Sequence, residues 1–94
     1  MTNTHRSYRA TMLVNTDTAP ADDVAATITS HIDGDVDVSA YRVNPHLVSA
    51  AVRFDAPSDA TAVHEVDMAM RHLPWPTDSL RVTTGRGSNW RVVR

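Results

Sequence analysis

The stretch "DVDVSAYRVNPHLVSAAVRFDA", residues 35–56, decides the fold. Before Asn44 the pattern alternates, with Val36, Val38 and Ala40 on one side and aspartates on the other. After Pro45 it resumes, with Val48, Ala50, Val52 and Phe54 on one side. A period of two belongs to a half-buried strand. The Asn44-Pro45 pair breaks the run, because proline pushes the residue before it out of the helical region and pre-sets a turn. Two strands with so short a break between them predict an antiparallel hairpin.

The segments on either side of this hairpin match each other. Upstream, "SYRATMLVN" (7–15) alternates, with Tyr8, Ala10, Met12 and Val14 on one side and Arg9, Thr11 and Leu13 on the other. A helix is expected from about 19 to 32, with Thr18 as its cap, Pro20 in its first turn and Asp22 and Asp23 at its positive end. Ala21, Val24, Ala25, Ile28 and Ile32 make its apolar stripe, and Gly34 suits a left-handed C-terminal cap. Downstream, Ser58 caps a second helix whose face holds Ala62, Val63, Val66, Ala69, Met70 and Leu73, and "PWP" at 74–76 stops it. "SLRVTT" (79–84) is a fourth strand, "GRGSN" (85–89) a turn, and "WRVVR" (90–94) a fifth strand closing a C-terminal hairpin. Residues 1–6 carry no pattern and are expected to be loose; residues 7–94 form one domain.

The order β-α-β-β-α-β defines an α+β domain. Over residues 7–84 it resembles the ferredoxin-like pattern, a split βαβ motif. That resemblance implies two helices on one face of an antiparallel sheet, with strand order 4-1-3-2 set by right-handed crossovers. It implies no activity, because the fold hosts enzymes, regulators and binding modules alike.

Composition narrows the chemistry. There is no cysteine, which removes disulfides and thiolate metal sites. No apolar run reaches the roughly 20 residues of a membrane helix, and the N-terminus has no apolar signal region, so a cytoplasmic location is expected. All basic residues are arginine and all acids but Glu65 are aspartate. This composition resembles that of high-GC genomes such as actinobacteria and their phages. The net charge of −2 is unevenly spread. Six aspartates and no arginine lie between Asn15 and Ala40, whereas Arg81, Arg86, Arg91 and Arg94 lie in a tail without acids.

Catalytic and metal motifs are missing from the sequence. His64 and His72 are eight residues apart on one helix, about 12 Å along its axis, too far to share an ion. "DGDVD" (33–37) lacks the glycine and glutamate positions of a calcium loop. No nucleophile elbow and no phosphate-binding loop appears. We therefore expect neither a metal nor another cofactor.

What remains is binding. The uncovered sheet face offers Leu13, Tyr41, Val43, Leu47 and Ala51 as an apolar contact. Exposed edges of opposite charge invite pairing with another chain. The first expectation is a non-enzymatic, protein-binding module, homodimeric or docked on another protein, and host-directed if its source is a phage. The second rests on a resemblance in length and order to dimeric α+β barrel proteins, such as small cofactor-independent monooxygenases and isomerases. That resemblance implies a cavity, for which Tyr8, His31, Tyr41, His46 and His64 are the polar candidates. The third is a nucleic-acid-binding regulator that uses Arg81, Arg86, Trp90, Arg91 and Arg94, its arginines on phosphates and its indole on a base. Against it, the central strands lack the aromatic pair of an RNA-recognition sheet. The alternative for the tail is structural, with Trp90 covering an open end of the core.

Overall fold

The computed structural model describes residues 6–32, 34–86 and 89–93, with the backbone alone described at positions 79, 86, 89 and 90. Seven elements follow one another: β1 (Arg6–Asn15), α1 (Ala21–Ser30), β2 (Val36–Asn44), β3 (Leu47–Ala56), α2 (Asp59–His72), β4 (Thr77–Arg86) and β5 (Asn89–Val92). The strands form one sheet in the order β2-β3-β1-β4-β5, with every neighbouring pair antiparallel. The βαββαβ core therefore has the expected 4-1-3-2 order, and β5 adds a strand outside β4.

Strand alternation sorts the residues as the sequence predicts. Tyr8, Ala10, Met12 and Val14 of β1 are buried, as are Val48, Ala50, Val52, Phe54 and Ala56 of β3. Register ties them together: Tyr8 lies opposite Phe54, Ala10 opposite Val52 and Val14 opposite Val48. Val24 and Ile28 of α1, with Ala62, Val66 and Ala69 of α2, close the same core from above. Ala10, Ala50, Ala62 and Ala69 are buried among these larger side chains. Tyr8 and Phe54 rings stack at 5.9 Å between centroids.

The helix ends depart from expectation in physically informative ways. Helix α1 starts at Ala21 with Pro20 as its N-cap, and Thr18 plays no capping part. The Pro20 carbonyl accepts from the Asp23 and Val24 amides. Proline needs no partner for a missing N–H, so it can lead the helix from outside. The hydroxyl that orders the approach is that of Thr16, whose Oγ1 accepts from the Ala19 amide at 3.1 Å. At the far end Thr27, Thr29 and Ser30 hydroxyls donate to carbonyls of their own helix. Such back-bonding weakens a helix, and α1 stops at Ser30 with His31 as its C-cap. Gly34 does take the left-handed conformation, at φ +82°, but in the connection to β2, past the cap. Helix α2 begins as expected: Ser58 Oγ accepts from the Thr61 amide at 3.2 Å.

Strand β4 is longer than the sequence pattern suggests, running from Thr77, opposite Val14, to Arg86, opposite Asn89. Gly85, read as part of a turn, is a strand residue opposite Trp90. A glycine at a strand end carries the same local signal as one in a turn. Strand β1 begins at Arg6, and the remainder of the segment expected to be loose, residues 1–5, lies outside the described residues. No helix among the described residues is long and apolar enough to cross a membrane.

Candidate functional site

The helices cover one side of the sheet, and the residues that alternate away from them form the other. Register arranges that face in rows. Asp37, Arg53, Arg9, Thr83 and Val92 lie side by side across all five strands. Ser39, Ala51, Thr11 and Arg81 form the next row. Tyr41, Ser49 and Leu13 form the third, and Leu47 lies beyond it between Asn15 and Asn44. Charge is thus concentrated toward the start of β1, and apolar surface toward its end.

Leu13, Leu47 and Ala51 are half-buried by their neighbours, whereas Tyr41 and Val43 stand out at 66% and 50% exposure. Val43 sits at an irregularity in the β2–β3 register, between Arg42 and Asn44. The structure brings Leu13 and Tyr41 into one row and Leu47 and Ala51 into the rows on either side. Val92, 57% exposed and opposite Thr83, adds an apolar group at the far edge of this face. Sequence reading missed it because its face depends on the β4–β5 register, which the two glycines obscured.

Three arginines share this face. Arg9 is directly opposite Arg53, and Arg81 is opposite Thr11 one row away. Like charges in register oppose sheet pairing. Arg53 is also opposite Asp37 on its other side, which offsets that repulsion. Asp55 lies near the same end and accepts a hydrogen bond from the Ser7 hydroxyl at 3.1 Å.

The C-terminal segment divides. Arg81 is exposed on the open face. Arg91 lies opposite the buried Thr84, on the helix side, where its Nη2 donates to Asp59 Oδ2 at 2.9 Å. The Tyr8 hydroxyl donates to the other oxygen of Asp59 at 2.7 Å, and Arg6 stands 3.8 Å from it. These donors, led by Tyr8 and then Arg91, hold the Asp59 carboxyl below its ordinary range. Burial, and after it the bond to Asp59, pushes the Tyr8 phenol up. The side chains of Arg86 and Trp90, and all of Arg94, lie outside the described residues. Val93 packs against the core, and its amide donates to the Val82 carbonyl.

The polar candidates for a cavity are dispersed. Tyr8 is buried beneath the helices and Tyr41 is exposed on the opposite face. His46, in the β2–β3 turn, pairs with Asp17 at 2.8 Å. His64 is exposed on α2. His31 is drawn to His72, with ring centroids 6.1 Å apart. Among the described residues no three His, Cys, Asp or Glu side chains converge as metal ligands.

One residue that sequence reading passed over organises an end of the molecule. The Arg42 guanidinium donates to the Thr16 carbonyl at 3.0 Å and to Pro45 at 3.2 Å, and also to the carbonyls of Ala19 and Asn44. It joins the β1–α1 loop to the β2–β3 turn. The available signal was an arginine in β2 at a position whose alternation points toward the helices.

Comparison with known proteins finds no protein-family model and no curated protein that matches the chain. The fold and the exposed surface are therefore what bear on function.

Proposed function

We propose that this chain is a protein-binding module that works as a homodimer through its uncovered sheet face. One observation carries the reading. Among the described residues no layer covers the second face of the five-stranded sheet, and Leu13, Tyr41, Leu47 and Ala51 occupy three adjoining zones of it. Strands of about ten residues at ~3.3 Å each, spaced ~4.8 Å apart, give such a face roughly 700–800 Å². A stable interface needs about 800 Å² from each partner. A two-fold axis over the Leu13 row would lay apolar surface on apolar surface. It would also leave the charged ends, which carry both Asp37 and Arg53, at the rim where charge steers association.

The test is the mass in solution of the purified chain and of its Tyr41→Asp and Leu13→Asp variants, by light scattering across a concentration series. The expected result is a dimer that each carboxylate converts to a monomer with unchanged circular dichroism. A wild-type monomer at every concentration, or a dimer indifferent to both changes, overturns the reading.

A second reading has its own observation. Arg9, Arg53 and Arg81 occupy neighbouring rows of the same face and suit a phosphate backbone, with Arg86 and Arg94 of the C-terminal segment as further cations and Trp90 as a stacking group. It predicts nucleic-acid affinity that falls steeply between low and moderate salt and is lost when Arg53 and Arg81 become alanine together. Binding that is absent at low salt, or flat with salt, removes it. The resemblance to small α+β barrel enzymes gains no support from the dispersed positions of Tyr8, Tyr41 and His46.

A further inference from the structure

The lengths of the elements have a consequence at the helix layer. Strands β1 and β3 are antiparallel, so the helices that follow them start from opposite ends of the sheet. Ten residues of strand span about 33 Å. Helix α1, with 10 residues, covers about 15 Å and α2, with 14 residues, about 21 Å. Running toward each other, the two meet at their C-terminal ends. Each C-terminus carries a partial negative charge of roughly half an electron. The meeting point is therefore a place where two helix ends favour a cation.

Two imidazoles stand there. His31 is the C-cap of α1 and His72 the last residue of α2; both are exposed, and their ring planes are inclined by 29°. His31 Nδ1 lies 2.8 Å from the Thr27 carbonyl, and His72 Nδ1 lies 2.7 Å from the Met68 carbonyl. A carbonyl only accepts, so each Nδ1 carries the proton and each neutral ring leaves its lone pair on Nε2. Ser30 Oγ, 3.2 Å from His31 Nδ1, adds a second contact on the same side of that ring. Imidazoles that ligate metals are held in just this way, with the other ring N–H on a backbone carbonyl.

The spacing also suits an ion. With bonds of about 2.0–2.1 Å to Nε2 and a ring radius of about 1.1 Å, two imidazoles on one ion have centroids no more than about 6.4 Å apart. The 6.1 Å separation of His31 and His72 lies just inside that limit, which corresponds to two nitrogens on nearly opposite sides of an ion, as in tetragonal rather than tetrahedral coordination. We propose that His31 and His72 form a two-imidazole site for a divalent first-row transition ion of the nickel or copper type, with water completing the coordination. Nitrogen ligands select these ions over magnesium and calcium. Such an ion would tie the end of α1 to the end of α2.

The experiment uses the full chain with Ni(II), Zn(II) and Mg(II) added separately, read by calorimetry and by the thermal midpoint. Cu(II) electron paramagnetic resonance then counts the ligating nitrogens. The expected result is one bound Ni(II) that raises the midpoint, weaker binding of Zn(II), no response to Mg(II), and a Cu(II) spectrum with two imidazole nitrogens. His31→Ala and His72→Ala should each weaken binding at least tenfold, and His64→Ala, on the same helix without a paired ring, should leave it unchanged. All three positions are exposed, and circular dichroism verifies that each variant folds. Binding that survives both His31→Ala and His72→Ala, equal losses in all three variants, a single-nitrogen spectrum, or no binding at all overturns the site.

Discussion

Asp59 joins three parts of the chain through one carboxylate. It is the first residue of α2, it receives the phenol of Tyr8 from β1, and it receives the guanidinium of Arg91 from β5. The inward position of Tyr8 was legible from alternation, since every second residue of β1 is apolar. Its partner was not, because the two residues are 51 positions apart and no local pattern encodes that meeting. The pH dependence follows from the direction of the shift. The Asp59 pKa is lowered from the ordinary 3.8 in the folded state, so its contribution is full above that value and is lost as pH falls through the depressed one. Asp59→Asn should be less stable than the wild type to urea at neutral pH, and the gap should close progressively below about pH 4. A gap of constant size down to pH 2 would mean that the carboxylate charge is not what holds the junction. Tyr8 shifts the opposite way, raised above 10.0, so its phenol supports the fold at neutral pH and fails it only in strong alkali, as pH rises through the elevated value.

Element boundaries were legible wherever one side chain does the capping. Ser58 is followed by an acid and an apolar stripe, and its hydroxyl holds the Thr61 amide as that sequence predicts. Ser58→Ala should cost about 1 kcal/mol in denaturant unfolding, and Ser58→Asp or Ser58→Asn should restore most of it. A neutral Ser58→Ala would place the nucleation of α2 in its packing alone. The start of α1 was misread because Thr18, a residue of capping type, makes no cap bond, and tertiary contacts order the approach at Thr16 instead. Thr16 is held from both sides: its amide donates to the His46 carbonyl and its own carbonyl accepts from Arg42. That arrangement belongs to the β2–β3 turn, 26 residues on, and no window around Thr16 contains it. Arg42→Ala removes donors from four carbonyls of two loops. Because those carbonyls are largely open to water, the expected loss is about 1–2 kcal/mol, with Arg42→Lys recovering less than half. A domain of this size loses roughly 4–8 °C of thermal midpoint per kcal/mol. An unchanged midpoint would show that the two loops are ordered without the guanidinium.

At the scale of the whole molecule, the sequence showed that one face would be bare, because two amphipathic helices can shield only one side of a small sheet. Which side chains share a row on that face became readable only with the register, which sets Tyr41 and Leu13 on either side of Ser49. Anything that binds the folded state and not the unfolded one raises apparent stability by mass action. A homodimer therefore predicts that the thermal midpoint of the wild type climbs as protein concentration is raised about a hundredfold. Tyr41→Asp should abolish that climb and leave a midpoint equal to that of the dilute wild type, since the Tyr41 ring is exposed and contributes little to its own core. Phe54→Ala, in the buried stack with Tyr8, should instead lower the midpoint by the same amount at every concentration, at a cost of about 3–5 kcal/mol. The two substitutions separate the face proposed to meet a partner from the face that makes the fold. A midpoint that ignores concentration in the wild type would detach the bare face from self-association and leave its arginine rows as the surface to account for.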